Sequence, residues 1–201
     1  MVQNELNTDD QYGAVVPPVY LSTTYSFAEF DKPRQHDYSR RSNPTRDAVQ
    51  RTLAKLEQGA DAVLTASGMA ALHLVCTTLL TPEDLIVAPH DCYGGSYRLL
   101  DSQARRGAYR VAFVDQGDLT ALKKTVLEQK PKLVLVETPS NPLLRVVDIA
   151  AICELAHQAG ALVVVDNTFL SPVMQQPLVL GADLVLHSCT KYLNGHSDVI
   201  A

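Results

Sequence analysis

From residue 45 onwards, apolar positions alternate between helical spacing and short continuous runs. Val49, Leu53 and Leu56 recur at i, i+4 and i+7, which predicts a helix opened by Asn43-Pro44-Thr45 and capped near Gly59. Further helices are predicted from Ser67-Gly68, over 96–106, after Asp118, and over 149–159 behind Asp148. Apolar runs that predict strands lie at 62–64, 85–88, 110–114, 133–136, 161–165 and 183–186.

The predicted strands are apolar throughout. The run Leu133-Val134-Leu135-Val136 has no polar face, so we expect both of its faces to be buried. Such strands, separated by helices, predict an α/β fold with a mostly parallel sheet and helices on both faces. The segments share no side-chain motif, which argues against a solenoid.

Residues 1–45 follow another pattern, with four prolines and little periodicity. They could form a loose extension. Six aromatic residues, however, are too much aromatic surface to leave in water. We therefore predict an N-terminal arm over 1–45 that packs on something such as a second subunit. The aromatic residues are Tyr12, Tyr20, Tyr25, Phe27, Phe30 and Tyr38.

The composition of the chain argues against several classes of function. Of the 201 residues, 46% are hydrophobic and 19% charged, which is typical of a chain with a real core. The net charge of −5 argues against a nucleic-acid partner. The acidic segment 1–10 does not resemble a signal peptide, and the apolar stretch 69–80 is too short to cross a membrane. The four cysteines lack metal-ligand spacing, so we expect reduced thiols in a cytoplasmic protein.

The residues that could bind a ligand or take part in catalysis lie just after the predicted strands, because ligands of open parallel sheets bind at the carboxyl ends of the strands. Asp166 ends a buried strand and could cap a turn or hold a ring nitrogen. Lys191 could be a solvated strand end or an amine nucleophile. Ser67-Gly68 could simply start a helix or offer N–H groups to a phosphate. Tyr93 could pack in the core or stack on a planar ring.

Taken together, these residues match the needs of one cofactor, pyridoxal 5'-phosphate. Its phosphate needs N–H donors, its ring a stacking partner, its pyridine nitrogen a carboxylate and its aldehyde an amine. Other cofactors and mechanisms are less favoured. The sequence has no G-x-G-x-x-G after a strand, no G-x-x-x-x-G-K-[ST] loop, no G-x-S-x-G elbow and no H-E-x-x-H pair.

A chain of longer motifs resembles the Cys/Met-metabolism family of pyridoxal-phosphate enzymes from about Gln11 to Ala201. Within the family, segments 89–98 and 114–118 carry a closer likeness to bacterial members that join an activated homoserine to cysteine. The motifs are YSRRSNPT at 38–45, ASGMAA at 66–71, DCYGGSYR at 91–98, ETPSNP at 137–142, VDNTF at 165–169 and SCTKYLNGHSD at 188–198.

The resemblance implies roles for the residues around the ring. Lys191 would bind the cofactor's aldehyde covalently and later transfer protons. Asp166 would keep the pyridine nitrogen protonated. Tyr93 would stack on the ring and take part in proton transfer. Asn141 would lie near the ring's phenolic oxygen.

It also implies a phosphate site and a contribution from a neighbouring subunit. The backbone of Gly68 and Met69, with the hydroxyls of Ser188 and Thr190, would bind the phosphate. Tyr38 and Arg40 would reach into the neighbouring subunit's site, in keeping with an aromatic arm. The full-length protein is then expected to be a homotetramer.

The fold expected from the resemblance is the large domain of fold-type I pyridoxal-phosphate enzymes, over residues 46–201. Because family members continue further, we expect an N-terminal fragment that stops before this domain is complete and lacks the small C-terminal domain. The implied activity is γ-replacement on an O-acylhomoserine, O-succinylhomoserine above all, by cysteine in methionine biosynthesis. Alternatives are cystathionine γ-cleavage, sulfhydrylation of acylhomoserine, or a non-catalytic fragment that only associates with a full-length relative.

Overall fold

The computed structural model describes residues 9–201, and the chain divides into two compact units, 1–64 and 65–201. The segment 1–8, part of the predicted arm, lies outside the described residues. The domain boundary predicted after residue 45 stays a prediction. No helix in the part of the chain that the structure describes is long and apolar enough to cross a membrane.

Within residues 9–64, the first unit contains one helix, α1 (Pro44–Glu57), preceded by a largely irregular segment. Asn43 caps α1, because its side chain accepts hydrogen bonds from the N–H groups of Thr45 and Arg46. The predicted cap at Gly59 is off by one residue, since Gln58 takes the left-handed conformation that ends the helix. In the arm, the side chains of Tyr12 and Phe30 are largely exposed, at 83% and 100%.

The second unit is a five-stranded parallel sheet with the strand order β2-β1-β3-β4-β5. Its strands are β1 (Leu85–Pro89), β2 (Arg110–Val114), β3 (Leu133–Glu137), β4 (Leu162–Asp166) and β5 (Leu184–Leu186). Its helices are α2 (Gly68–Leu79), α3 (Gly94–Arg105), α4 (Leu119–Gln129), α5 (Ile149–Gln158) and α6 (Ser171–Met174). The predicted α/β fold is therefore confirmed.

Two apolar clusters explain why the central strands are apolar on both faces. On one face, Val87, Val134 and Val163 pack with residues of α4 and α5. On the other, Ile86, Leu135 and Val164 pack with residues of α2 and α3. Each central strand thus sends alternate side chains into two separate cores, and neither face meets water.

The prediction of a strand at 62–64 is wrong. These residues form no β-bridge, and the side chain of Val63 is 74% exposed. Three apolar residues in a row are too few to distinguish a strand from a connection when no neighbouring strand is available for pairing. The helix start predicted at Ser67-Gly68 and the predicted caps Asp118 and Asp148 are confirmed, because the side chains of Ser67, Asp118 and Asp148 each accept a hydrogen bond from a first-turn N–H group.

Candidate active site

A cavity of about 190 Å³ opens at the carboxyl ends of β3, β4 and β5, beside the N-termini of α2 and α3. Seven of the predicted site residues line it, and all belong to the second unit. They are Gly68, Met69, Tyr93, Asn141, Asp166, Ser188 and Lys191. The parallel sheet brings them together because the loops after its strands emerge at one edge.

The N-terminus of α2 forms one wall. Ser67 accepts a hydrogen bond from the N–H of Ala70, whereas the N–H groups of Gly68 and Met69 belong to the first helical positions, which have no intrahelical acceptor. A methyl group added to Gly68 would lie 2.8 Å from Cβ of Ser188. The helix and the loop after β5 can therefore approach this closely only with glycine at this position. The result is a narrow cradle with free N–H groups and the positive end of a helix, which suits a phosphate.

The ring of Tyr93 lies over the start of α3. A Cβ on Gly95 would come within 2.4 Å of Cε1 of this tyrosine and 3.0 Å of the sulfur of Met69. The absence of a side chain at Gly95 therefore makes room for the ring. The side chain of Tyr93 is 45% exposed, so its aromatic surface is available to a ligand.

The carboxylate of Asp166 ends β4 inside the cavity. It accepts a hydrogen bond of 3.0 Å from the N–H of Thr168, and the hydroxyl of Thr168 accepts one of 2.8 Å from the N–H of Ser188. Burial raises the pKa of Asp166, while hydrogen bonds from Thr168 and the charge of His187 act in the opposite direction. A cationic ligand group beside Asp166 would favour the ionised carboxylate.

Glu137 is a second carboxylate in the cavity, and the sequence analysis gave it no role. It ends β3 in register with Asp166 on β4, and it is only 8% exposed. Burial raises the pKa of Glu137 to about 7, and the nearby charges of Asp166 and Asp91 add to this effect. The signal was present in the sequence, because Glu137 directly follows a buried strand just as Asp166 does.

Lys191 follows the loop after β5 and lines the same cavity. Its backbone N–H donates to the carbonyl of Ser188 at 3.1 Å, which closes a turn over 188–191. Thr190 does not line the cavity; its hydroxyl contacts the backbone of Ala201 instead. A role for Thr190 in phosphate binding stays a prediction.

Tyr38 and Arg40 lie in the first unit. The guanidinium of Arg40 lies 4.7 Å from the centre of the Tyr38 ring and donates a hydrogen bond to its hydroxyl. The two residues thus form a local cation–π pair. Their predicted function in a neighbouring subunit's site stays a prediction.

Other reactive groups of the described residues do not form a second centre. No group of three or more His, Cys, Asp or Glu side chains within residues 9–201 is placed to hold a metal ion. The four cysteines are free. Burial raises the pKa of Cys76 to about 11 and that of Cys92 to about 12, so these thiols are protonated at neutral pH.

The residues that line the cavity fit pyridoxal 5'-phosphate. The cradle at Gly68, which a Cβ would fill, suits the phosphate. The carboxylate of Asp166, half-buried in the cavity, suits a protonated ring nitrogen, the exposed face of Tyr93 suits the ring, and the amine of Lys191 suits the aldehyde.

Comparisons with known proteins agree with this fit. The chain is 72% identical over 200 residues to cystathionine gamma-synthase of Escherichia coli (strain K12), an alignment that covers all of this chain and 52% of that protein. It is 42% identical over 201 residues to cystathionine beta-lyase of Lactococcus lactis subsp. cremoris (strain MG1363), again covering 52% of the relative. The chain thus spans about half the length of the curated relatives it matches.

A solved structure shares the fold. Cystathionine gamma synthase from Xanthomonas oryzae pv. oryzae, in complex with cystathionine, superposes with a TM-score of 0.96 at 52% identity. The match covers 99% of this chain and 51% of that one. Residues 1–201 also match the family model described as Cys/Met metabolism PLP-dependent enzyme. The chain therefore belongs to the Cys/Met metabolism family of pyridoxal-phosphate-dependent enzymes, whose cofactor is pyridoxal 5'-phosphate.

Proposed function

We propose that the complete natural protein containing this chain catalyses γ-replacement on O-succinylhomoserine by cysteine. The bond between the γ-carbon and the succinyl oxygen breaks and succinate leaves. A bond forms between the sulfur of cysteine and the γ-carbon, the thiol proton is released, and the product is cystathionine. The observation that carries the proposal is the 72% identity to the Escherichia coli synthase over the whole chain.

Each residue of the cavity has its own role in this proposal. When bound, pyridoxal 5'-phosphate supplies a ring that accepts electrons from the substrate's α-carbon. Lys191 would hold the cofactor's aldehyde through Nζ and, when free, would take the substrate's α-proton on Nζ. The carboxylate of Asp166 holds a proton on the ring nitrogen. The backbone at Gly68 and Met69, with Ser188, holds the phosphate.

Tyr93 and Asn141 orient the ring in this proposal. The aromatic face of Tyr93 stacks on the cofactor, and its hydroxyl assists proton transfer. Asn141 lies beside the ring's phenolic oxygen. Both residues line the cavity, from the loops after β1 and β3 respectively.

The substrate's α-carboxylate needs a cation that these residues do not offer. Of the described residues that line the cavity, only Lys191 carries a positive charge, and the proposal already uses it for the cofactor and the α-proton. We therefore propose that a cation from outside this lining set holds the carboxylate. If that cation lies beyond residues 1–201, these residues alone should turn over substrate slowly, because an unpositioned substrate forfeits most of the proximity contribution.

Lyase and sulfhydrylase reactions are the nearest alternatives, because they use the same cofactor and begin with the same α-proton removal. The 42% identity to a beta-lyase is the observation that favours the lyase alternative. A fragment that only associates with a full-length relative is a different kind of alternative. Cofactor absorbance on the purified 201-residue chain would count against it.

The test is an assay of the complete natural protein with three reaction mixtures. O-succinylhomoserine with cysteine should give cystathionine. Cystathionine alone should be cleaved at least about tenfold more slowly. Replacing cysteine with sulfide should also be slower. Faster cleavage of cystathionine would assign a lyase, and a preference for sulfide would assign a sulfhydrylase.

A further inference from the structure

The sheet opens between β1 and β3. The β1–β2 and β3–β4 ladders each pair five residues, whereas β1 and β3 pair only at Ile86–Leu133 and Val87–Val134. The chain also reverses its direction of winding here, since β2 lies on one side of β1 and β3 on the other. Crevices at such switch points are the usual ligand sites of open α/β sheets. Contacts between the loop after β1 and the loop after β3 can fix the width of this crevice.

Glu137 spans this crevice at its carboxyl end. Its carboxylate accepts the backbone N–H of Tyr93, which follows β1, with N–O distances of 2.9 and 3.1 Å to the two oxygens. One of these oxygens also accepts the N–H of Asn141, which follows β3, at 2.8 Å. A single buried side chain therefore ties together the two loops that carry the predicted ring contacts.

We propose that Glu137 is a positioning residue for the cofactor site, which holds Tyr93 and Asn141 at the spacing that the cofactor ring requires. The inference rests on the proposed function only in that Tyr93 and Asn141 are taken to contact the ring. Glu137 acts through their backbones, so it is not a catalytic residue.

The chemistry at this position favours a carboxylate over an amide. Ionised Glu137 offers two acceptor oxygens, and both face N–H donors. Glutamine would keep one acceptor but would point its NH₂ group at an N–H, so one contact would become a repulsion. The charge also lies at the N-terminus of α3, next to its first turn, where a negative charge is favourable.

Other polar side chains near Glu137 also link the loops after β1 and β3. Asp91, which follows β1, accepts a hydrogen bond of 2.8 Å from the hydroxyl of Ser140 in the loop after β3. Arg145 lies 3.8 Å from Asp91 and 3.5 Å from Asp115. These contacts link the loops outside the cavity lining, whereas Glu137 links them inside the cavity and touches the two predicted ring contacts directly.

The test compares Glu137→Gln with Glu128→Gln in the complete natural protein at pH 8, where Glu137 is ionised. Glu128 lies on the exposed side of α4, so its substitution makes the same chemical change away from the cavity. Two quantities are measured without any substrate: the dissociation constant of pyridoxal 5'-phosphate, and the circular dichroism that the bound cofactor acquires in its visible band, which reports ring orientation.

We expect Glu137→Gln to weaken cofactor binding by about tenfold or more and to change the visible circular dichroism, as the loss of charge-assisted bonds implies. Glu128→Gln should match the parent. Parent-like affinity and dichroism in Glu137→Gln would overturn the proposal. If Glu137→Gln does not fold, Glu137→Asp is used, which keeps the charge but is one methylene shorter. It should show a weaker version of both changes, and parent-like values for this variant would overturn the proposal as well.

These readouts separate the two proposals. A parent protein that binds the cofactor but forms no cystathionine would contradict the proposed function and leave the result for Glu137 valid. A protein that makes cystathionine and shows no effect of Glu137→Gln on the cofactor would contradict only the positioning role.

Discussion

At the scale of single residues, the cavity holds two carboxylates with different partners. Asp166 has one backbone donor, Thr168, and faces the cavity, whereas Glu137 faces backbone donors from two loops. Desolvation raises the pKa of Asp166, and a positively charged ligand group beside it would favour the ionised form. The donors around Glu137 suit it to a structural task instead.

Asp166→Asn should keep the fold but lose most of the activity of the complete protein. The amide has nearly the same shape, yet it cannot hold a proton on the ring nitrogen. Loss of a charge-assisted hydrogen bond costs about 1.5–3 kcal/mol, which corresponds to a rate about ten- to a hundredfold lower. Steady-state assays would check this, with Asp101→Asn on the surface of α3 as the matched control. Near-normal turnover in Asp166→Asn would refute this role of the carboxylate.

Glu137 should give the cofactor-free protein a distinctive pH dependence. Its pKa in the folded state is raised from 4.5 to about 7, so the folded protein binds this proton more tightly than the unfolded chain. The stability it contributes is therefore complete below pH 4.5 and is lost as the pH rises through about 7. The loss can reach about 3 kcal/mol.

Urea unfolding of the parent and of Glu137→Gln, measured from pH 4.5 to 8, would check this. The free energy of unfolding of the parent should fall more steeply over this range than that of the variant. Parallel curves would mean that the pKa of Glu137 is not raised.

At the scale of elements, the approach of α2 to the loop after β5 defines the cradle proposed for the phosphate. Gly68→Ala would place a methyl group 2.8 Å from Cβ and 3.0 Å from Cα of Ser188, so the helix and the loop must separate. We expect a loss of about 1–3 kcal/mol in the free energy of unfolding, and weaker cofactor binding.

Gly94→Ala is the matched control for this element. It also lies at the start of a helix, α3, but its added methyl group would meet only the flexible end of Arg98, at 3.2 Å. Thermal unfolding and cofactor titration of both variants would check the prediction. Equal behaviour of Gly68→Ala and Gly94→Ala would show that the close approach is not needed.

Much of this element-level structure could be predicted from the sequence because its signals are local. The caps Ser67, Asp118 and Asp148 and the apolar runs of the central strands depend on neighbouring residues alone. The wrong prediction of a strand at 62–64 and the missing role for Glu137 have a different cause, because both depend on contacts between distant parts of the chain. Strand pairing and the register of Glu137 with Asp166 depend on which strands become neighbours, and this is decided by the whole fold.

At the scale of the whole molecule, the chain matches half the length of its relatives, and its N-terminal arm is rich in exposed aromatic residues. We predict that Arg40 acts in the site of a neighbouring subunit. A mixture of Arg40→Ala and Lys191→Ala subunits of the complete protein, each inactive alone, should regain part of the activity, because hybrid oligomers contain one intact site. Lack of recovery in oligomers shown to have mixed would contradict a role across subunits.

The central claim is that this cavity holds pyridoxal 5'-phosphate through Lys191, and covalent trapping tests it most directly. The complete natural protein is loaded with the cofactor, reduced with borohydride and digested, and the cofactor-bearing peptide is identified by mass spectrometry. We expect one labelled peptide, with the modification on Lys191. A label on Lys132 or any other lysine, or no label on a protein that visibly binds the cofactor, would contradict it.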